Sequence, residues 1–267
     1  MAPTVLFVHG FWLSPDTWHP WVSRFEERGW DAVAPAWPGL DRDVAEVRAD
    51  PAALAGLGVA DVIEHYAGII RGMERPPVLV GHSFGGAFVQ VLLDRGLGAA
   101  AVALHSGPVK GVLRVPPSTV RSNWPVLRNP ANRRRAVSLT PKQFRYAFTN
   151  ALGERDAAEA YERHHVPGPG GMIFEAAFAN LNPNAATKVD FRNGDRGPLL
   201  FVTGDADNVT TPALNRENHR RYRHSGAVTD LVGFPGRCHY TLGQPGWEEV
   251  ADAVLEWLEA RGFAGRA

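Results

Sequence analysis

The most informative stretch of the sequence is Val78-Leu79-Val80-Gly81-His82-Ser83-Phe84-Gly85, in which an apolar run leads into the pattern G-x-S-x-G. A helical segment at residues 84–95 follows directly. This order predicts a strand, a sharp turn and a helix, with Ser83 on the turn, because only small residues at positions 81 and 85 let the chain pass its neighbours there. We therefore expect the Ser83 hydroxyl to stand above a sheet, at a helix N-terminus that favours negative charge.

Apolar runs bounded by Gly and Pro alternate with helical segments along the rest of the chain, as is typical of a parallel sheet covered by helices. The predicted strands are residues 4–8, 31–36, 77–80, 99–104, 199–203 and 228–234. The predicted helices are residues 18–28, 59–71, 84–95, 213–223 and 247–261.

One stretch interrupts this alternation. Residues 110–195 contain no good strand, but they contain several short helical candidates separated by Pro, Gly and Asn. We therefore predict a core formed by residues 1–109 and 196–267, and a helical cap, residues 110–195, inserted before the penultimate strand. Residues 110–195 are called the cap segment below.

The composition of the chain limits the classes of binding partner. The chain has 267 residues, of which 45% are hydrophobic, so it can bury a sizeable core. Its 28 basic and 28 acidic residues give no net charge, which argues against nucleic acid or a membrane surface as a partner held by electrostatics. A small molecule is the expected partner, and the choice between a monomer and a homodimer is left open.

Cysteine usage and the lengths of the apolar runs bear on the compartment. The single cysteine, Cys238, cannot form an internal disulfide, and no Cys/His cluster offers a zinc site. The N-terminus lacks the features of a signal peptide, and no apolar run approaches the roughly 20 residues that span a bilayer. These observations predict a cytoplasmic protein with no metal and no other cofactor.

With its G-x-S-x-G turn between a strand and a helix, the chain resembles the α/β-hydrolase-fold superfamily, in particular the group with a serine nucleophile and a helical cap. The resemblance implies an α/β fold with a mainly parallel sheet of about six strands flanked by helices, and it makes Ser83 the nucleophile. The chain starts at the strand that carries the family's H-G-x loop. It shares this truncated sheet with hydroxynitrile lyases and some small esterases.

Two later segments resemble the family's acid and histidine loops. Gly204-Asp205-Ala206-Asp207 follows a predicted strand, and Phe234-Pro235-Gly236-Arg237-Cys238-His239 precedes the last predicted helix. The resemblance implies that Asp207 and His239 form a triad with Ser83 in the chain order of this family. In such a triad the imidazole accepts the serine proton and the carboxylate holds the imidazole in the right tautomer.

The loop His9-Gly10-Phe11-Trp12 resembles the family's H-G-x segment. The resemblance implies an oxyanion hole formed by two backbone N–H groups, those of Phe11 and Phe84. Both donors are main-chain groups, so substitution of either side chain tests the shape of the site and not the oxyanion hole.

Three further residues lie close to these segments. Asp205 is the alternative acid, although a carboxylate at this position also suits a turn that bonds to nearby backbone N–H groups. His105, directly after the fourth strand, is interpreted as a core residue rather than as the floor of the site. Lys110, at the start of the cap segment, is the one candidate to hold cyanide in a lyase, but a surface hinge residue is the better interpretation.

Aromatic residues of the cap segment and of the H-G-x loop predict an apolar substrate pocket. The candidates are Trp12, Trp124, Phe144, Tyr146 and Phe174. Aromatic residues at helical spacing belong more often to a core than to a pocket, so we expect only part of this set to reach a ligand. No Lys or Arg is clearly directed at the site, which favours neutral, moderately hydrophobic esters or lactones.

The resemblance implies a serine hydrolase that cleaves a carboxylic ester through an acyl-enzyme. Two alternatives stay open, because a fold does not decide the chemistry performed on it. One is a cofactor-free lyase, C–C bond hydrolase or perhydrolase that uses the same triad. The other is a ligand receptor that retains the triad, which an exposed apolar cap face would favour.

Overall fold

A six-stranded parallel sheet forms the centre of the protein in the computed structural model, which describes residues 2–266. The strands are β1 Thr4–Val8, β2 Asp31–Val33, β3 Val78–His82, β4 Ala100–Leu104, β5 Ala136–Val137, β6 Gly168–Pro169, β7 Leu199–Gly204 and β8 Thr229–Phe234. The large sheet has the order β2-β1-β3-β4-β7-β8, and β5 pairs with β6 in a separate antiparallel sheet.

The helices lie between the strands. They are α1 His19–Glu27, α2 Val44–Ala49, α3 Val59–Arg71, α4 Phe84–Asp94, α5 Pro117–Leu127, α6 Pro141–Ala147, α7 Glu154–His164, α8 Gly170–Phe178, α9 Pro212–Arg221 and α10 Trp247–Glu259. Short 3-10 helices occur at Pro15–Trp18, Ala52–Leu54, Pro130–Arg134 and Ala179–Leu181. Among residues 2–266, no helix is long and apolar enough to cross a membrane.

Both faces of the large sheet are buried, which explains why its central strands are continuous apolar runs. Side chains alternate along β1, so that Val5 and Phe7 pack under α1 and α10, whereas Leu6 and Val8 pack under α3 and α4. The Phe7 ring lies 4.8 Å from the ring of Trp18 and 5.2 Å from that of Phe25. Truncating such a fully buried aromatic side chain typically costs about 3–5 kcal/mol.

The predicted α/β fold class is confirmed, and each of the six predicted strands and five predicted helices has a counterpart. β2 ends at Val33 and not at residue 36, because Pro35 has no N–H to donate to a strand ladder. The short helix α2 was not predicted, and neither were the two-residue strands β5 and β6.

The cap segment contains α5 to α8 and lies between β4 and β7 in the chain. It packs on the loop after β1, where Trp12 Nε1 donates to the carbonyl oxygen of Val137 at 2.8 Å and Ser14 N donates to that of His164 at 2.9 Å. The division of the chain into a core and a cap domain stays a prediction.

The carboxyl ends of parallel strands meet at one edge of a sheet, and this edge assembles the functional residues. Phe11, Ser83, His105, Asp207 and His239 come within a few residues of the ends of β1, β3, β4, β7 and β8, respectively. Ser83 and His239, which are 156 positions apart in the chain, therefore lie side by side.

Candidate active site

Ser83 sits on a strained turn between β3 and α4, with φ 57° and ψ −117°. Non-glycine residues in such conformations typically carry about 1–3 kcal/mol of strain. The surroundings hold the turn in place, because Ser83 N donates to the carbonyl oxygen of Leu104 at 3.0 Å and Gly107 N donates to that of Ser83 at 2.7 Å. A Cβ on Gly85 would collide with the backbone of Val8, as expected for a tightly packed turn.

The structure brings together the three side chains of the predicted triad. Ser83 Oγ lies 3.0 Å from His239 Nε2, and His239 Nδ1 lies 2.8 Å from Asp207 Oδ2. All three side chains are buried. A proton can therefore pass from the hydroxyl to the imidazole, while the carboxylate holds the ring and stabilises its positive charge.

Asp207 is the most densely hydrogen-bonded side chain of the site. Its Oδ1 accepts hydrogen bonds from Val209 N at 2.7 Å and Thr210 N at 2.9 Å, and its Oδ2 accepts from both His105 and His239. Burial by itself raises the pKa of Asp207, but the electrostatic attraction of His239 and the hydrogen bonds from both histidines outweigh it and hold the pKa well below its usual value. The carboxyl group is therefore ionised near neutral pH.

Asp205 has a different role from Asp207. Its side chain is exposed, and its Oδ1 accepts a hydrogen bond from Gly236 N at 2.6 Å. This contact joins the loop after β7 to the loop that carries His239. The geometry thus places Asp207 against the imidazole and leaves Asp205 as a turn carboxylate.

His105 is the residue whose surroundings differ most from the interpretation based on sequence. Its Nδ1 lies 2.7 Å from Asp207 Oδ2, so it is a second imidazole on the same carboxylate and not simply a core residue. Burial lowers the pKa of His105, and the hydrogen bond to Asp207 offsets this effect only in part. The ring is therefore neutral at pH 7, with its proton on Nδ1, because the ionised carboxylate can only accept. Only its place at the end of β4 could have indicated this contact.

The histidines of the two sequence motifs support the loops beside the triad. His82 Nε2 lies 2.8 Å from the carbonyl oxygen of His239, and its burial lowers the pKa of His82 well below the usual value. His9 Nε2 accepts a hydrogen bond from Trp37 N at 3.1 Å, while burial lowers the pKa of His9 to about 4. Both rings are therefore neutral groups that hold the backbone.

The loop that carries Phe11 approaches the turn that carries Ser83 and Phe84. The loop after β1 lies against the serine, since a Cβ on Gly10 would come 2.8 Å from the Cβ of Ser83. Within residues 2–266, the N–H groups of Phe11 and Phe84 donate to no protein acceptor. The two phenyl rings pack together, with centroids 5.4 Å apart. Two backbone donors on neighbouring segments are thus available to an oxyanion, and their role as the oxyanion hole stays a prediction.

A cavity of about 140 Å³ adjoins Ser83 and is walled largely by small and aliphatic side chains. Its lining consists of Ser83, Phe84, Gly107, Pro108, Val109, Val112, Val115, Thr119, Val120, Asn123, Leu127, Ile173, Ala176, Ala177, Ala179, Asn180, Val209, Thr210 and Leu214. This lining contains hydroxyl and amide groups but no charged side chain. Val115 and Val120 are exposed as well as lining, so they mark the mouth of the cavity.

None of the five aromatic residues predicted to line the substrate pocket belongs to this cavity wall, and their contact with a substrate stays a prediction. Two of them, Trp12 and Phe144, are buried and pack on Phe148 of the cap segment. Tyr146 and Phe174 lie beneath the guanidinium groups of Arg121 and Arg133, respectively.

Trp124, the fifth, is 57% exposed. Large rings on the short cap helices are used to pack the cap together or face outward, and small residues are left to shape the cavity.

Two further groups were candidates for special chemistry. Lys110 Nζ donates to the carbonyl oxygen of Asn182, and Lys110 is absent from the cavity lining. Among residues 2–266, the one close group of metal-ligand types is His105, Asp207 and His239, and both Nδ1 atoms are already hydrogen-bonded to the carboxylate.

The chain matches the family described as "Alpha/beta hydrolase family" over residues 5–255. Several solved structures share the fold. A monoacylglycerol lipase from Paleococcus ferrophilus is 22% identical, with a TM-score of 0.66 over 96% of this chain and 93% of the other. An extracellular alpha/beta-hydrolase from a Paenibacillus species is 15% identical, with a TM-score of 0.69 over 99% and 100%. A pyrethroid hydrolase from Sphingobium faniae is 19% identical, with a TM-score of 0.63 over 97% and 98%. Among curated proteins, none matches the chain.

Proposed function

The chain belongs to the alpha/beta hydrolase family, and we propose that it is a serine hydrolase that cleaves a small, neutral, moderately hydrophobic carboxylic ester or lactone through an acyl-enzyme on Ser83. The observation that carries the proposal is the unbroken hydrogen-bond chain from Ser83 Oγ through His239 to Asp207. A serine hydroxyl is a poor nucleophile unless a base removes its proton, and His239 is positioned to be that base.

The first half of the reaction forms the acyl-enzyme. Ser83 Oγ attacks the ester carbonyl carbon while His239 Nε2 takes the hydroxyl proton. The carbonyl π electrons move to oxygen, and the oxyanion accepts hydrogen bonds from the N–H groups of Phe11 and Phe84. The intermediate then collapses, the bond to the alkoxide oxygen breaks, and His239 gives its proton to the leaving alcohol.

The second half releases the acid. A water molecule attacks the acyl carbon while His239 takes one of its protons. Collapse of the second intermediate breaks the bond to Ser83 Oγ, which recovers its proton from His239. Asp207 stays ionised throughout and stabilises the imidazolium that forms twice in the cycle.

The proposed substrate class rests on the cavity. Its walls are mainly aliphatic and carry no charged side chain, so a charged substrate group would lose its hydration without gaining a partner. Two structural neighbours are named as a methylesterase and a polyneuridine aldehyde esterase, and these names support an ester as the substrate of this chain too. We propose a small molecule as partner and the cytoplasm as location.

A fluorophosphonate followed by intact-mass measurement tests the nucleophile. We expect a single adduct on the native chain and none, or a very slow one, on Ser83→Ala and His239→Ala. Ser106→Ala is the matched control, because Ser106 is also buried but its Oγ donates to the carbonyl oxygen of Gly107 and not to a base. Labelling of Ser83→Ala at the native rate would remove Ser83 as the nucleophile.

A panel of p-nitrophenyl esters and lactones then tests the substrate class. We expect kcat/KM to be higher for neutral acyl groups than for acyl groups of the same length that end in a carboxylate. Equal values for the two series would contradict the assignment of the uncharged cavity as the acyl site.

A further inference from the structure

We propose that the outer face of the cap segment docks on an anionic lipid surface, with exposed apolar side chains around the cavity mouth entering the lipid and arginines contacting its headgroups. The docking is a binding event and does not depend on the hydrolytic function proposed above.

Exposed apolar side chains are concentrated around the cavity mouth. Among residues 2–266, the large apolar residues with at least 40% exposure are Leu113, Val115, Val120, Trp124, Phe178, Leu181 and Val228. All except Val228 belong to two cap stretches, residues 113–124 and 178–181, and both stretches contribute to or adjoin the cavity wall. Apolar side chains gathered in this way mark an interaction surface more often than a scatter of single residues does.

The same part of the chain carries an unbalanced positive charge. Residues 110–153 contain no Asp or Glu, but they contain nine basic residues: Lys110, Arg114, Arg121, Arg128, Arg133, Arg134, Arg135, Lys142 and Arg145. All of them except Lys110 are exposed. Within the described residues, only Arg145 of this group forms a salt bridge, at 3.8 Å to Glu154. The net charge of the whole chain predicts no membrane partner, but it conceals this local excess.

Helix α5 connects the cavity mouth to the basic surface. Val120, Trp124 and Arg128 follow one another at intervals of four residues, so they form one row along the helix. Val120 lines the cavity, Trp124 is exposed, and Arg128 lines a polar groove of about 580 Å³ together with Arg135.

That groove has the chemistry of an anion site. Its other lining residues are Pro125, Asn129, Asn132, Val137, Ser138, Thr140 and Gln143, so two guanidinium groups face it and no carboxylate does. Arginine binds phosphate oxygens through paired N–H donors, which suits a lipid phosphate.

The combination of charge and apolar exposure favours lipid over a second copy of this chain. Two such faces brought together would oppose the exposed basic residues of one copy to those of the other, and these positive charges would repel one another. An anionic bilayer attracts the arginines and also accepts the side chains of Trp124 and Leu181 in its interfacial region, where tryptophan is enriched.

Co-sedimentation with vesicles tests the proposal. The full chain carries Ser83→Ala, so that turnover plays no part, and the vesicles are phosphatidylcholine alone or an equal mixture with phosphatidylglycerol. We expect binding to the mixed vesicles that weakens at high salt, and at least tenfold weaker binding to phosphatidylcholine alone. No binding to the mixed vesicles at low salt would overturn the proposal.

Paired variants locate the surface. The double variant Trp124→Ser/Leu181→Ser and the double variant Arg128→Glu/Arg135→Glu should each weaken binding about tenfold or more.

The matched controls are Val228→Ser and the double variant Arg75→Glu/Arg223→Glu. These exposed positions lie outside the cap segment, so the control variants should leave binding unchanged. Equal losses in the control variants would contradict docking through the cap segment. When these substitutions are made in the protein that retains Ser83, the variants should still be labelled by the fluorophosphonate, and this labelling would show that the variant proteins fold.

Fluorescence and hydrodynamics distinguish the remaining outcomes. Trp124 is the one exposed tryptophan of the eight, so brominated phosphatidylglycerol should quench native fluorescence but not that of Trp124→Phe. If Trp124→Ser instead converts a dimer into a monomer in size-exclusion chromatography and vesicles do not bind, the face is an interface between copies and the lipid proposal is wrong.

Discussion

The Nδ1 atom of His105 lies 2.7 Å from Oδ2 of Asp207, and Nδ1 of His239 lies 2.8 Å from the same oxygen. Two imidazoles therefore donate to one carboxylate oxygen. His105 reaches this position with φ 45°, a backbone conformation that is unfavourable for residues other than glycine. We infer that the hydrogen bond to Asp207 offsets this strain and that His105 positions the acid without touching substrate.

Substitution of His105 should separate its hydrogen bond from its bulk. His105→Leu removes the donor and keeps an apolar side chain of similar width, whereas His105→Asn keeps a donor close to the position of Nδ1. We expect kcat/KM for an activated ester to fall about 10- to 100-fold in His105→Leu, and only a few-fold in His105→Asn. If the two variants lose activity equally, His105 acts through packing and not through its contact with Asp207.

Substitution of each candidate acid should identify the one that works in the triad. Asp207→Asn leaves the shape but removes the charge that stabilises the imidazolium, so kcat should fall by about 10³- to 10⁴-fold. Asp205→Asn, two residues away, should stay within about threefold of the native chain, because Asp205 contacts only the loop backbone. Both are measured by steady-state hydrolysis of an activated ester, and a reversed order of the two effects would make Asp205 the acid.

Buried neutral histidines should make the fold sensitive to acid. Burial lowers the pKa of His164 to about 4, so between about pH 6.5 and pH 4 the unfolded chain binds a proton that the folded chain does not. Stability is therefore present at neutral pH and declines as the pH falls through this window. For His164 alone, the loss from pH 7 to pH 5 should be about 2 kcal/mol.

Urea unfolding at the two pH values measures this loss. His164→Leu should reduce the difference between pH 7 and pH 5 by about 2 kcal/mol, and the same substitution at the exposed His224 should leave the difference unchanged. An undiminished difference in His164→Leu would assign the acid sensitivity to other groups.

Two glycine substitutions should change the stability of the fold in opposite directions. A Cβ at Gly85 would overlap the backbone of Val8, and neither element can move away, so Gly85→Ala should destabilise the fold by more than about 3 kcal/mol or prevent folding. Gly68 lies inside α3, and nothing lies within 4 Å of the position that a Cβ would take there, so Gly68→Ala should stabilise the fold by about 0.5–1 kcal/mol. Denaturant midpoints compare the two variants, and a loss at position 68 would contradict the open surroundings there.

The cavity wall should control substrate size. Leu127 lines the cavity whereas Trp124, three residues earlier, is exposed. Leu127→Ala should shift the preference among p-nitrophenyl esters towards longer acyl chains, by about tenfold in the ratio of kcat/KM values. Trp124→Ala should not change that ratio for substrates in solution, and a shift of equal size there would restore the pocket predicted from sequence.

Local patterns predicted the architecture well. The period of the apolar residues and the Gly and Pro residues between them are sufficient to identify six strands and five helices, because both signals act over a few residues. The helix α2 escaped prediction because it has only six residues and contributes one buried side chain, Val47.

The candidate triad was predictable for a related reason. Ser83 needs a turn with small neighbours, and the five consecutive residues 81–85 meet this requirement. Asp207 and His239 follow strands that end at the same edge of the sheet, so their place in the chain already pointed to the site. The catalytic roles of the three residues stay predictions until the variants above are measured.

Neither the contact of His105 with Asp207 nor the set of residues that form the cavity wall could be predicted from the sequence. His105 and Asp207 are separated by 102 positions, and the wall combines α5, α8 and the loop after β7. Distances of this sort depend on how helices pack on the sheet and on each other, and no local pattern of residues encodes them. Periodicity and turn chemistry were therefore enough for the fold and the nucleophile, whereas packing alone selected His105 as the second histidine on Asp207 and the shape of the cavity beside Ser83.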